Sequence, residues 1–97
     1  MKLLTILFFL FTNQYILHDK EGNIVGTLSK TNDIVYWKMR GYETEEYKFI
    51  LEIYSGPYSV WYVEGKQSKG TILIKEDRIE FKLILLNKYH CNETYYR

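Results

Sequence analysis

The sequence predicts an all-β fold, a small antiparallel meander closed into a barrel or half-barrel, and three observations carry that expectation. Short runs rich in Val, Ile, Tyr, Trp and Phe recur about every 8–12 residues, separated by Gly, Asn, Asp and Ser. One of them, Tyr47–Tyr54, alternates: Tyr47, Phe49, Leu51 and Ile53 share one side, and Lys48 and Glu52 share the other. No segment of useful length carries a helical period, and the single proline, Pro57, leaves nearly every backbone N–H free for ladders. At 97 residues the chain is one domain.

The first element is Met1-Lys2 followed by the apolar run Leu3–Phe11 and a polar exit, Thr12-Asn13-Gln14. A basic start and a short apolar stretch match two of the three parts of an export signal, but no pair of small residues follows to mark a cleavage site. The run is too short to span a bilayer, which takes roughly 20 apolar residues. Residues 1–14 resemble the leaders of small exported bacterial proteins. The preferred expectation is therefore an exported protein, periplasmic or extracellular, with residues 15–97 as the β domain. The alternative is a cytoplasmic protein in which residues 3–11 form a buried strand.

Tyr15–His18 and Ile24–Leu28 then flank Asp19–Asn23, a loop read as a type I turn closed by Gly22 in the left-handed region. After a polar turn at Ser29–Asp33 comes Ile34–Arg40, with Val35, Trp37 and Met39 on one side and Lys38 and Arg40 on the other. The loop Gly41–Glu46 leads to the alternating strand 47–54. Ser55–Tyr58 turns the chain into Ser59–Val63. Face matching favours a three-residue loop here, with Ile53 opposite Trp61, Leu51 opposite Val63, and Trp61 inward. Gly65–Gly70 reads as the longest polar loop. Thr71–Lys75, a tight turn at Glu76-Asp77, and Arg78–Leu86 make a further hairpin with Ile79, Phe81, Leu83 and Leu85 facing the core. The tail Asn87–Arg97 adds a candidate edge strand.

Seven or eight short-looped strands must close or fold over to bury an inner face and remove exposed edges. In its strand meander alone the chain resembles short lipocalin-like domains; the Gly-x-Trp signature of that family is absent. The resemblance implies a carrier of a small apolar molecule in the barrel mouth.

Chemistry is sparse. His90 and Cys91 are neighbours, so on a strand they point apart and cannot act as nucleophile and base. Two His and one Cys show no metal-ligand spacing. The pairs Glu45-Glu46 and Glu76-Asp77 fall in expected loops, and only Glu52 and Glu64 could meet across a sheet. Asn92-Glu93-Thr94 is a glycosylation pattern of the kind that arises often by chance. With 13 basic and 12 acidic residues dispersed along the chain, nothing tracks a phosphate backbone, so no nucleic-acid partner is expected.

Ten tyrosines remain to be explained. Tyr36, Tyr54 and Tyr62 are expected opposite the core-facing Trp37, Ile53 and Trp61, near Lys38, Arg40 and Lys48. Tyrosine offers contact area at low entropic cost. The reading that follows is a non-enzymatic binding protein with no cofactor and no metal. It would act through Tyr36, Lys38, Arg40, Tyr54 and Tyr62 on a protein partner, of inhibitor, immunity or adaptor type. The alternative is the small lipocalin-like carrier.

Overall fold

The computed structural model describes residues 12–86 and 88–97. The apolar run Leu3–Phe11, as leader or as buried strand, lies outside the described residues. Eight antiparallel strands, joined in sequence order, close into a barrel. They are β1 (Thr12–His18), β2 (Ile24–Thr31), β3 (Ile34–Met39), β4 (Glu45–Ser55), β5 (Tyr58–Glu64), β6 (Ser68–Ile74), β7 (Arg78–Leu85) and β8 (His90–Tyr96).

Alternation builds the interior. Leu17, Leu28, Val35, Trp37, Tyr47, Trp61, Val63, Ile72, Ile74, Ile79, Phe81 and Leu83 are buried together. Trp37 stacks on Phe81 (centroids 4.1 Å apart, 15°), and Tyr15 and Phe49 each set an edge against Trp61 at 6.0 Å. Offset stacks and edge contacts let aromatic quadrupoles attract while the rings fill the barrel axis.

Several turns match their sequence signals. Gly22 has φ +88° and closes the β1–β2 loop, with Asp19 N–H donating to Asn23 O at 2.9 Å. Glu76-Asp77 is a two-residue turn, spanned by Lys75 N–H to Arg78 O at 2.9 Å. The polar segments Ser29–Thr31 and Ser68–Gly70, expected in loops, belong to β2 and β6, because their neighbours pair them regardless of composition.

The β4–β5 register departs from expectation. Ser55 pairs with Tyr58, so the loop is Gly56-Pro57 alone, and Trp61 opposes Glu52 rather than Ile53. Gly56 has φ +64° at the first loop position, where a two-residue II′-type hairpin requires a glycine. The face conflict that argued against this register is resolved by a β-bulge, since pairing shifts between Phe49 and Leu51. One extra residue inverts the phase of alternation downstream. Tyr47 and Phe49 face inward, as expected, but beyond the bulge Glu52 turns inward and Ile53 lies 47% exposed. Trp61 is inward in either register and is only 2% exposed.

Two parts of the ladder are short. β3 pairs with β4 only from Glu45 to Lys48, and β1 meets β8 at the single pair His18–Tyr96. The seam is reinforced by side chains: His18 Nδ1 lies 3.3 Å from Tyr96 O, and the Arg97 guanidinium sits 4.8 Å over the Tyr15 ring while donating to Lys75 O at 2.8 Å.

Candidate functional site

The bulge and the short β3 ladder together define the distal half of β4, Ile50–Ser55. Phe49 N–H still donates to Asp33 O (2.7 Å), but no described strand pairs with the β3 side of β4 beyond that point. Among the described residues this stretch is therefore an unpaired edge. It is also apolar on both sides, with Ile50, Leu51, Ile53 and Tyr54 all exposed.

On its inner side the edge carries a carboxylate. Glu52 accepts from Trp61 Nε1 at 2.8 Å and from the Tyr54 hydroxyl at 3.0 Å. The hydrogen bond to Glu52, reinforced by the same negative charge, pushes the Tyr54 phenol pKa up. Tyr15 nearby is also raised, chiefly by burial, with the Arg97 charge working against the shift. Lys30 reaches inward to lie 4.4 Å over the Phe49 ring. These charges are placed against aromatic faces and donors, and two carboxylates do not meet. Glu64 is on the outer side of β5 opposite Lys48, so Glu52 and Glu64 face apart and a paired general acid and base is not formed.

On its outer side, cross-strand pairing lines up a stripe. Leu51 opposes Tyr62, while Ile53 opposes Val60, which in turn opposes Leu73. Tyr62 of β5, at 39% exposed, belongs to this stripe, and Tyr54 of β4, at 75%, projects from the other side of the sheet. Tyr36, Lys38 and Arg40 stand apart from them. Tyr36 is half-buried on the outer side of β3 opposite Glu46, Lys38 is exposed opposite Thr27, and Arg40 begins the turn after β3. The five residues singled out from the sequence therefore divide into two at the β4–β5 edge, two on β3 and one, Arg40, in the turn that follows it.

Sequence reasoning placed Glu52 on the outer side and Leu51 and Ile53 on the core side, the reverse of where they lie. The available signal was the dipeptide Gly56-Pro57: counting outward from a two-residue turn places Trp61 against Glu52.

The other expected chemistry is laid out simply. Cys91 is half-buried on the inner side of β8, its thiol pKa pushed up by burial, and His90 is exposed on the opposite side. Among the described residues no group of His, Cys, Asp and Glu is arranged to hold a metal ion, and no helix is long and apolar enough to cross a membrane. Recesses among the described residues open at the surface. One of about 470 Å³ lies at the seam beside His18, Lys20 and Arg97, and one of about 930 Å³ runs between segments 43–48 and 64–68. Both are lined mainly by turn and charged residues rather than by the apolar wall a carrier needs. Comparison of the chain with protein-family models, with curated proteins and with solved structures finds no match in any of the three.

Proposed function

We propose that this protein is a non-enzymatic binding module that engages a protein partner through the distal half of β4 and the adjoining outer face of β5. One observation carries the reading: the barrel axis is filled by Trp37, Trp61 and Phe81, while Leu51, Ile53 and Tyr62 are exposed together on the outer face, with Ile50 and Tyr54 exposed along the same stretch of β4. Monomeric soluble domains rarely expose a contiguous apolar patch of several hundred Å² without a use for it. A filled interior speaks against the carrier alternative, which requires space inside the barrel. Tyr62 flanked by Leu51 has the character of an interface hot spot, an aromatic set among aliphatic neighbours.

The test is affinity capture with the intact chain, followed by identification of what is retained and titration of the purified partner. Tyr62→Ala and Leu51→Lys should each weaken that binding about tenfold or more, as loss of a hot-spot contact does. Tyr36→Ala, on β3, should change it little. Equal losses from both sets would move the contact surface towards β3, and no loss from either would end the reading.

We further propose export through the apolar N-terminus. β1 begins at Thr12 and Leu17 is fully buried. Cleavage after residue 14 would shorten β1 but spare Leu17, whereas a cut near residue 20 would delete the strand. Intact mass of the protein recovered from the periplasm or medium should show loss of no more than about the first 14 residues. A full-length product confined to the cytoplasm would overturn export.

A further inference from the structure

We propose that the free edge of β4 is a self-association surface: a second copy of this chain adds its own β4 antiparallel, about a two-fold axis through Ile53. The proposal rests on the reading of this side as a protein-contact surface and names the first partner that surface takes.

The geometry favours a second copy because the edge is complementary to itself. In an antiparallel pair, directly opposed residues point to the same side of the sheet. With the axis through Ile53, Ile53 faces its own copy, Leu51 faces Ser55, and Glu52 faces Tyr54. Within one chain the Tyr54 hydroxyl already donates to Glu52, so donor and acceptor lie on one side of the strand. Across the two-fold each Tyr54 hydroxyl can exchange the Glu52 of its own chain for that of the other copy, so the same donor–acceptor pair recurs twice, which is the isologous pattern expected of a cyclic dimer. An axis through Tyr54 would set Ile53 against Ser55 and Glu52 against Gly56, losing both the isoleucine pair and the tyrosine–carboxylate pairs, and the register on the other side fails on charge. An axis through Glu52 would set two carboxylates directly opposite each other, which is destabilising. The favoured register also fits the length available, since Leu51–Ser55 lies between the bulge and the Gly56-Pro57 turn. Both features end regular pairing.

Strand addition would satisfy backbone groups that no described strand pairs, and would withdraw Ile53 and Tyr54 from water. It would also join the two outer stripes, Ile53–Val60–Leu73 of each copy, into one continuous face. The partner proposed above would then meet a surface twice as wide.

Sedimentation velocity of the full chain over a range of concentrations, alongside Ile53→Lys, reads the association. A dimer fraction that grows with concentration and disappears in Ile53→Lys is expected. The register is tested by cross-linking in a Cys91→Ser background. Ile53→Cys should form an interchain disulfide on mild oxidation, because opposed β-carbons lie about 4.5–5.5 Å apart. Ser55→Cys, which faces Leu51 of the other copy, should not. A wild-type chain that stays monomeric at every concentration, or a dimer unaffected by Ile53→Lys, overturns the proposal. A dimer in which Ser55→Cys cross-links in preference to Ile53→Cys overturns its register. A monomer that still loses its partner on Tyr62→Ala would refute self-association while leaving the protein-binding reading in place.

Discussion

Two strand edges that are largely unpaired among the described residues, those of β4 and β8, carry the same short motif and use it differently. On β4, Glu52-Ile53-Tyr54 places a tyrosine hydroxyl on the carboxylate two residues before it; on β8, Glu93-Thr94-Tyr95 does the same. Each motif lies beside a buried tryptophan, since Glu52 opposes Trp61 and Tyr95 sets its edge towards Trp37 at 6.4 Å. The first difference is the residue between the motif's two ends. β4 shows the exposed Ile53 with Leu51 beside it, whereas β8 shows Asn92 and Thr94. Polar residues on an exposed edge discourage pairing with another chain. The β8 edge is therefore guarded, and the β4 edge is not. The second difference is how the tryptophan is satisfied. Trp61 Nε1 donates to Glu52, but the buried Nε1 of Trp37 has no partner among the described residues. The β4 edge is thus tied to the core by a hydrogen bond that the β8 edge lacks. An exposed apolar edge held rigidly in place is what a binding surface requires, because less order has to be created on contact.

The largest expected effect tests whether Trp61 anchors the β4 side. Truncating a buried aromatic costs about 3–5 kcal/mol. A domain this small has only about 5–15 kcal/mol in all. Trp61→Ala should therefore unfold the protein or strip most of its cooperative melt. Tyr54→Ala, on the exposed end of the same network, should melt close to wild type. Similar losses from both would mean that the β4 edge is core rather than contact surface.

A smaller effect separates the two tryptophans. Trp61→Phe removes a donor from Glu52 and leaves a half-buried carboxylate short of a partner. Trp37→Phe removes a donor that has no acceptor among the described residues. Leaving a buried polar group unsatisfied costs about 1–3 kcal/mol, whereas deleting an unpaired donor does not carry that term. Chemical denaturation should therefore show Trp61→Phe more destabilised than Trp37→Phe by about 1–2 kcal/mol. Equal costs would mean that the Glu52 bond contributes nothing to the anchoring.

The same contrast explains what was readable in the chain before the fold was known. Trp61, Phe49 and Phe81 face inward as alternation predicts, and the closed meander follows from short loops and repeated strand signals. Those features depend only on local period. Ile53 and Glu52 changed sides because a bulge inverts the period, and no residue type marks the bulge at Ile50. The free edges were equally hidden. They come from where β3 stops pairing at Lys48 and where β8 meets β1, which are properties of barrel stagger rather than of any one strand. The tyrosine set was only partly readable, for it assumed that Tyr54 and Tyr62 share a side with Tyr36. The bulge places Tyr54 on the other side of the sheet from Tyr62.

Alkaline pH distinguishes the two motifs further. The Tyr95 phenol pKa is pushed well up, first by burial and then by the hydrogen bond and charge of Glu93. Its folded pKa lies above the ordinary 10.0, so the folded state holds this proton more tightly than the unfolded state. Stability from Tyr95 is fully present below pH 10 and is lost as pH rises from there towards the folded pKa. Tyr95→Phe should flatten the fall in melting temperature on the alkaline side. Tyr54 is raised too, but from an exposed position. Glu52→Gln should shift its absorbance titration downward with little change in the alkaline melting curve. A melting curve unchanged by Tyr95→Phe would show that the β8 motif contributes nothing to stability there.

The smallest effect concerns Cys91, which lies on the inner side of the guarded edge, opposite Leu83 and two residues before Glu93. Burial raises its thiol pKa, with the Glu93 carboxylate adding in the same direction, so the reactive thiolate is disfavoured at neutral pH. A half-buried thiol of this kind acts as a small apolar filler. Cys91→Ser should therefore cost about 1 kcal/mol or less and leave partner binding unchanged. Alkylation of the native thiol should be slow and should speed up only on unfolding. Fast alkylation in the folded state, or loss of binding in Cys91→Ser without loss of fold, would mean that the β8 edge carries function of its own and would erase the asymmetry between the two edges.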